Sequence, residues 1–165
     1  MQNNMEQEFR VSTKGKKLLE VKKLALALMG EYGLLANGWT FGFDTARRRF
    51  GVCYHGKRRI TLSAALVELN SIEESRNTIT HEIAHALMPR GAGHSPGWVA
   101  MHRSLGGDGK RCYDSAVVVK PAAPIVGECP GGHPHTRFKM PRRSVSCSAC
   151  SPRYDERYKI IWKRI

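Results

Sequence analysis

The sequence predicts an α+β fold: helices packed on a three-stranded antiparallel meander, followed by a small basic module rich in cysteine and histidine. Three patterns predict it. Apolar residues recur on helical spacing near residues 18–28 and 72–87. Period-2 alternation runs between Trp39 and Leu62. After Pro121-Ala122-Ala123-Pro124 the chain turns strongly basic and carries three of its five cysteines. The expected divisions are a flexible end over 1–13, a main domain over 14–120 and a basic module over 121–165.

In the first helix, Lys16 to Met29, the apolar positions Leu18, Leu19, Val21, Leu24, Ala25 and Leu28 form one stripe, and Gly30 or Gly33 ends it. Trp39, Phe41 and Phe43 share one strand face. Phe50, Val52 and Tyr54 share a second, and Ile60 with Leu62 marks a third. Asp44 to Arg47 and His55-Gly56-Lys57 are the expected turns of the meander, and Arg59–Leu62 its expected exposed edge. Ser63 caps a short helix over Ala64–Leu69. Ser71-Ile72-Glu73-Glu74 reads as a capping box opening a helix from Ile72 to Leu87. Pro89 stops it, and Gly91-Ala92-Gly93 lets the chain reverse. Ser95-Pro96 then reads as an N-cap with proline at the first helical position, for a helix from Gly97 to Leu105. Val117–Val119 suggests one more short strand.

The chain carries 27 Lys+Arg against 14 Asp+Glu, a formal charge of +13. Such a balance favours polyanionic partners, nucleic acid before anionic membrane. Residues 1–119 hold 17 cations against 11 acids, and residues 120–165 hold 10 against 3, so the tail is the expected anchor. No apolar run approaches the roughly 20 residues that span a bilayer, and the polar N-terminus lacks the apolar core of a signal peptide. The expected setting is the cytoplasm of a bacterial or phage-infected cell, with the protein a monomer and no membrane partner. An odd number of cysteines without a secretion signal argues for metal ligation over disulfides.

His81-Glu82-Ile83-Ala84-His85 places two imidazoles one helical turn apart on the same face, able to converge on one cation. A catalytic zinc takes three protein ligands and keeps one position open. His94 is the expected third ligand: eight residues, holding the helix stop and the glycine reversal, separate it from His85. Glu82 stands beside the first ligand and has the place of a general base toward a zinc-activated water. His55 reads as a solvated turn residue, His102 as packing or exposed, and Trp98 as core beneath the site. Cys53 and Cys112 read as unpaired thiols.

A second zinc site, structural in kind, follows from Cys129, His133, Cys147 and Cys150. The pattern is C-x3-H, then 13 residues, then C-x2-C, with His135 the alternative to His133. Around it basic and aromatic residues interleave, and Arg137, Lys139, Arg142, Arg143 and Arg153 are the expected nucleic-acid contacts.

The chain resembles the SprT-like (Spartan-type) zinc metalloprotease family. The resemblance rests on HEIAHAL at 81–87, GHSPGW at 93–98, the upstream WTFGFDTARRRFGVC and ITLS, and the C-terminal ribbon, and it covers roughly residues 15–160. The spacing to His94 departs from the metzincin pattern, which would place its third histidine at Gly91. The resemblance implies a small zincin-like core with a zinc ribbon, zinc held by His81, His85 and His94, and catalysis by Glu82. It implies a metalloendopeptidase acting on DNA-associated or DNA-crosslinked proteins, with DNA, single-stranded or crosslinked, as partner. The ribbon departs from the four-cysteine form of many relatives. The competing reading is a non-catalytic zinc- and DNA-binding or phage-structural protein on the same scaffold.

Overall fold

The computed structural model describes residues 2–112 and 116–165, with side chains from residue 15 onward. The chain divides into two compact units, Met1–Pro121 and Ala122–Ile165. In the first, α1 runs over Gln2–Glu31, starting earlier than Lys16. Val21, Ala25, Leu28 and Met29 form its buried stripe, while Leu19 is 53% exposed. Gly33, at φ 71°, ends it, and Leu34 N–H reaches back to Met29 O at 2.8 Å.

The three strands form where alternation predicts them: β1 (Thr40–Asp44), β2 (Gly51–Tyr54) and β3 (Arg59–Ser63). Their arrangement corrects the expected meander. The sheet is mixed, in the order β1-β3-β2, with β1 parallel to β3 and β2 antiparallel to it. The reason lies in β3, whose Ile60, Thr61, Leu62 and Ser63 are all buried, so it takes the centre and hides both faces. Asp44 then starts a crossover instead of a hairpin. Its carboxylate accepts from Ala46 N–H (2.8 Å), Thr61 Oγ1 (2.6 Å) and Arg49 (2.8 Å), and Ser63 Oγ donates to Ala46 O (2.5 Å). These bonds hold the connection across the end of β3. The expected exposed edge over Arg59–Leu62 is therefore the sheet's middle, and β2 forms one edge.

The helices begin at their expected caps because each cap is a local bond. Ser63 Oγ accepts from Leu66 N–H at the start of α2 (Ala64–Leu69). Ser71 Oγ accepts from Glu74 N–H at the start of α3 (Ile72–Leu87). Ser95 Oγ accepts from Trp98 N–H at the start of α4 (Pro96–Ser104). The core gathers Phe50, Ile60, Leu62, Leu66, Ile79, Ile83 and Trp98. Val117–Val119 is not a strand. Asn70 occupies its pairing groups, its side chain donating to Val119 O and accepting from Val119 N–H, while Val118 is buried.

The second unit is a three-stranded antiparallel sheet in the order β5-β4-β6, from β4 (Ile125–Glu128), β5 (Pro134–Arg137) and β6 (Ile161–Arg164). Cys129, Cys147 and Ile160 are its small core, with Val145, Tyr158 and Trp162 against them. Among the described residues, no helix is long and apolar enough to cross a membrane.

Burial pushes the Asp44 carboxyl up, but its bonds to Thr61, Ala46 and Arg49 outweigh this and hold it below 3.8. A depressed carboxyl contributes stability above its unfolded value and loses it as pH falls through the folded one. Asp44→Asn should lower stability at pH 7 by about 1 kcal/mol, read as a urea midpoint. The gap to the wild type should close as pH drops below 3.8; a gap that persists unchanged would remove the charge from the explanation.

Candidate metal centres

Helix α3 sets His81 and His85 one turn apart, and the turn after Leu87 returns His94 to them. Their Nε2 atoms form a nearly equilateral triangle: 3.3 Å from His81 to His85, 3.2 Å from His85 to His94, and 3.2 Å from His94 to His81. An imidazole nitrogen is either donor or acceptor. A triangle of three therefore always leaves two alike in contact, unless a cation takes all three lone pairs. A tetrahedron with metal–nitrogen bonds of about 2.0 Å has edges of about 3.3 Å. The triangle thus matches one face of a zinc tetrahedron and leaves the fourth vertex for another ligand.

The protonation states agree. Burial, then the neighbouring imidazoles, lowers His81 from 6.5 to about 3, and the same causes lower His85 to about 4. Burial and the Arg111 charge lower His94. All three are neutral near pH 7, the form that ligates. Trp98, fully buried, lies under them with ring centroids 4.5 Å from His81, 5.1 Å from His85 and 4.5 Å from His94.

Glu82 is buried between α3 and β2. Gly51 makes room: a Cβ there would stand 2.8 Å from Glu82 Oε1 and 2.8 Å from Thr78 Cγ2. The carboxyl accepts from Cys53 N–H. Burial pushes it from 4.5 to about 8, against the opposing pull of Arg49 and that N–H. A dication on the imidazoles would add to the Arg49 effect and favour the carboxylate.

His102 is neither exposed nor mere filling. Gly109 N–H donates to its Nδ1 at 3.2 Å, which leaves Nε2–H toward Thr80 Oγ1 (3.1 Å) and Asn77 O (3.3 Å). Gly107 lies flat on the ring, where a Cβ would fall 1.9 Å from Nε2. The buried ring thereby fixes the loop after α4. Its neighbour Gly107 was the available signal, though spacing alone does not announce it.

In the second unit, His133 Nδ1 lies 3.5 Å from Cys129 Sγ, 3.7 Å from Cys147 Sγ and 3.2 Å from Cys150 Sγ, and Cys129 and Cys150 are 3.8 Å apart. Zinc–sulfur bonds of about 2.3 Å give tetrahedral sulfur–sulfur edges of about 3.8 Å. The four donors are spaced as a group that could hold zinc, and His133 rather than His135 is the imidazole among them. Gly131 allows the approach, since a Cβ there would meet Cys150 Sγ at 2.7 Å. His135 instead faces Trp162. Of the expected nucleic-acid contacts, Lys139, Arg142, Arg143 and Arg153 are exposed, while Arg137 is half-buried over the Trp162 ring at 5.3 Å. Cys53 and Cys112 are free thiols, and burial pushes Cys53 up to about 12.

A profile of the SprT-like family matches residues 30–116, more than half of the 165-residue chain. The chain belongs to the SprT-like family. The matched segment contains the whole imidazole triangle and Glu82. Comparison with curated proteins and with solved structures gave no match. Membership suggests metalloprotease activity, and both donor clusters are compatible with zinc.

Two zinc ions per chain should appear in metal analysis of the purified protein. His94→Ala should reduce the count to one and leave the ribbon metal; Cys147→Ser should remove the ribbon metal instead. Two zinc ions retained by His94→Ala would exclude His94 as a ligand.

Proposed function

We propose that the protein is a zinc-dependent metalloendopeptidase acting on DNA-associated or DNA-crosslinked proteins. The observation that carries the proteolytic part is the pairing of an open-faced triangle of neutral imidazoles with a buried carboxyl on the same helix. Zinc held by His81, His85 and His94 supplies Lewis acidity, polarising a carbonyl and making a water easier to deprotonate. The chain's own groups do the rest. Glu82 takes a proton onto its carboxylate and returns it to the leaving amine. Burial raises its proton affinity, and a dication on the imidazoles would bring it back toward the carboxylate that accepts the proton. The non-catalytic alternative leaves this buried carboxyl only its packing against β2 and its bond from Cys53 N–H.

Strand β2 gives the substrate a place to lie. Ser63 N–H bonds Phe50 O on the β3 side, so the alternating pattern turns Gly51 and Cys53 outward, toward Glu82. Cys53 N–H is taken by Glu82, so an extended peptide meeting this edge would pair with the backbone groups that Glu82 leaves free, beside the imidazoles.

The DNA part of the reading rests on charge. The exposed Lys139, Arg142, Arg143 and Arg153 of the ribbon favour phosphates over bases. Tyr154 is its one strongly exposed aromatic ring among the described residues, and Trp162 and Tyr158 pack inward. Carrying this anchor and the protease unit on one chain raises the local concentration of DNA-bound substrate.

Two measurements test the reading. Glu82→Gln should retain zinc and cut casein roughly 10²–10⁴-fold more slowly; full activity in a zinc-loaded Glu82→Gln protein would end the assignment. Single-stranded DNA binding should weaken steeply with salt, and Arg142→Gln with Arg143→Gln should flatten that dependence by up to about two phosphate contacts. A salt-independent affinity would remove the ribbon from DNA binding.

A further inference from the structure

A cleft of about 480 Å³ opens beside His81 and Glu82. Its cations come from stretches far apart in sequence: Arg48 and Arg49 before β2, Lys110 and Arg111 in the loop after α4, and Lys120. Among the described residues, five cations line it against one acid, Glu82. Arg49 is committed to Asp44 at 2.8 Å. Lys110 and Arg111 are exposed and have no ion pair among the described residues.

These two sit on a fixed support. Gly109 N–H is held by His102, Asp108 N–H by Asn77 Oδ1 at 3.1 Å, and Lys110 N–H by Asp108 Oδ1 at 2.8 Å. Gathering like charges on a preorganised loop is unfavourable until an anion shares them.

We propose that this cleft is a subsite for acidic side chains of the protein substrate, receiving Asp or Glu within a few residues of the scissile bond. The substrate is that of the protease reading, although binding in the cleft does not require cleavage. Phe50 and Gly51 of the β2 side line this cleft. Cys53 and His55, further along, line a second cavity of about 310 Å³ with His85 and Met88, and among the described residues no Lys, Arg, Asp or Glu lines it. An extended peptide rises about 3.3 Å per residue, so roughly four residues carry it from one cavity to the other. One side of the cut meets cations and the other meets neutral walls. Selection therefore asks for one acidic side chain near the bond, not for an acidic protein, which keeps it compatible with substrates that bind DNA.

A nucleic-acid strand is the competing polyanion. Proteins grip unpaired strands by stacking bases on aromatic rings. Among the described residues, the one Phe, Tyr or Trp lining the cleft is Phe50, and it is 2% exposed.

Fluorescence anisotropy on the zinc-loaded full chain carrying Glu82→Gln tests the site without turnover. The probes are a decapeptide of alternating Gly and Glu, its Gly/Gln counterpart, and a ten-nucleotide oligothymidylate. The Glu peptide should bind at least fivefold tighter than the Gln peptide. Adding Lys110→Gln and Arg111→Gln should abolish that preference and leave oligothymidylate affinity within twofold. Equal affinity for the two peptides, or a preference that survives the double substitution, would overturn the proposal. A fivefold loss of oligothymidylate affinity would overturn it in favour of a nucleic-acid site. In a separate arm, cuts made in casein by the wild type should be enriched for Asp or Glu within three residues on one side. Lys110→Glu with Arg111→Glu should erase the enrichment, and enrichment that persists would count against the cleft. Failure of the wild type to cut anything, with the peptide preference intact, would strike the protease reading and leave the subsite standing.

Discussion

The contact between Glu82 and the backbone of β2 constrains everything around it. A carboxyl buried there is costly unless donors or a cation meet it. Cys53 N–H and the field of Arg49 meet it in part. The contact also requires that no side chain intervene, which only Gly51 satisfies. Given that approach, α3 cannot rotate. Ile79 and Ile83 must point into the core, and His81 and His85 must point toward His94. The edge of β2 is thereby placed beside the imidazoles by the same packing that buries Glu82.

Trp98 supports the other side of this arrangement. Its ring touches all three imidazoles of the triangle and also His102, at a centroid distance of 5.0 Å. The residue that carries the core into α4 is therefore the floor of the metal site. His102 extends the support to the loop bearing Lys110 and Arg111. Metal ligands, floor and cleft wall form a contiguous packed series, so their relative positions are fixed before a substrate arrives.

What the sequence made legible was whatever a few neighbouring residues decide. Ser63, Ser71 and Ser95 cap their helices through bonds spanning three residues, and the pair His81 and His85 follows from one helical turn. Sheet order was not legible in that way. Whether Asp44 turns a hairpin or starts a crossover depends on Thr61 and Ser63, and on β3 being buried on both faces. Alternation shows which residues share a face but not which strand lies in the middle. The apolar run Val117–Val119 forms no strand for the same reason, because Asn70 takes the backbone groups of Val119. Charge was read by segment, which pointed to the tail and passed over the cleft. Arg48, Arg49, Lys110, Arg111 and Lys120 are dispersed in sequence and meet only in the folded unit.

The two donor clusters differ in a way their chemistry explains. Three thiols and an imidazole surround a point completely, and three sulfurs within a few ångströms cannot all ionise without a cation to share. Burial and the neighbouring thiols push Cys150 up to about 12, while bonds from His133 and Gly131 draw Cys129 down to about 6 against its burial. Such a set holds a dication firmly and offers a ligand nothing, which suits a unit whose core is little more than Cys129, Cys147 and Ile160. The imidazole triangle contributes no charge, so a dication held by His81, His85 and His94 would keep more of its Lewis acidity than one held by thiolates. The difference between holding a fold and performing a reaction is already present in the choice of donors, and the buried Glu82 stands beside only one of the two.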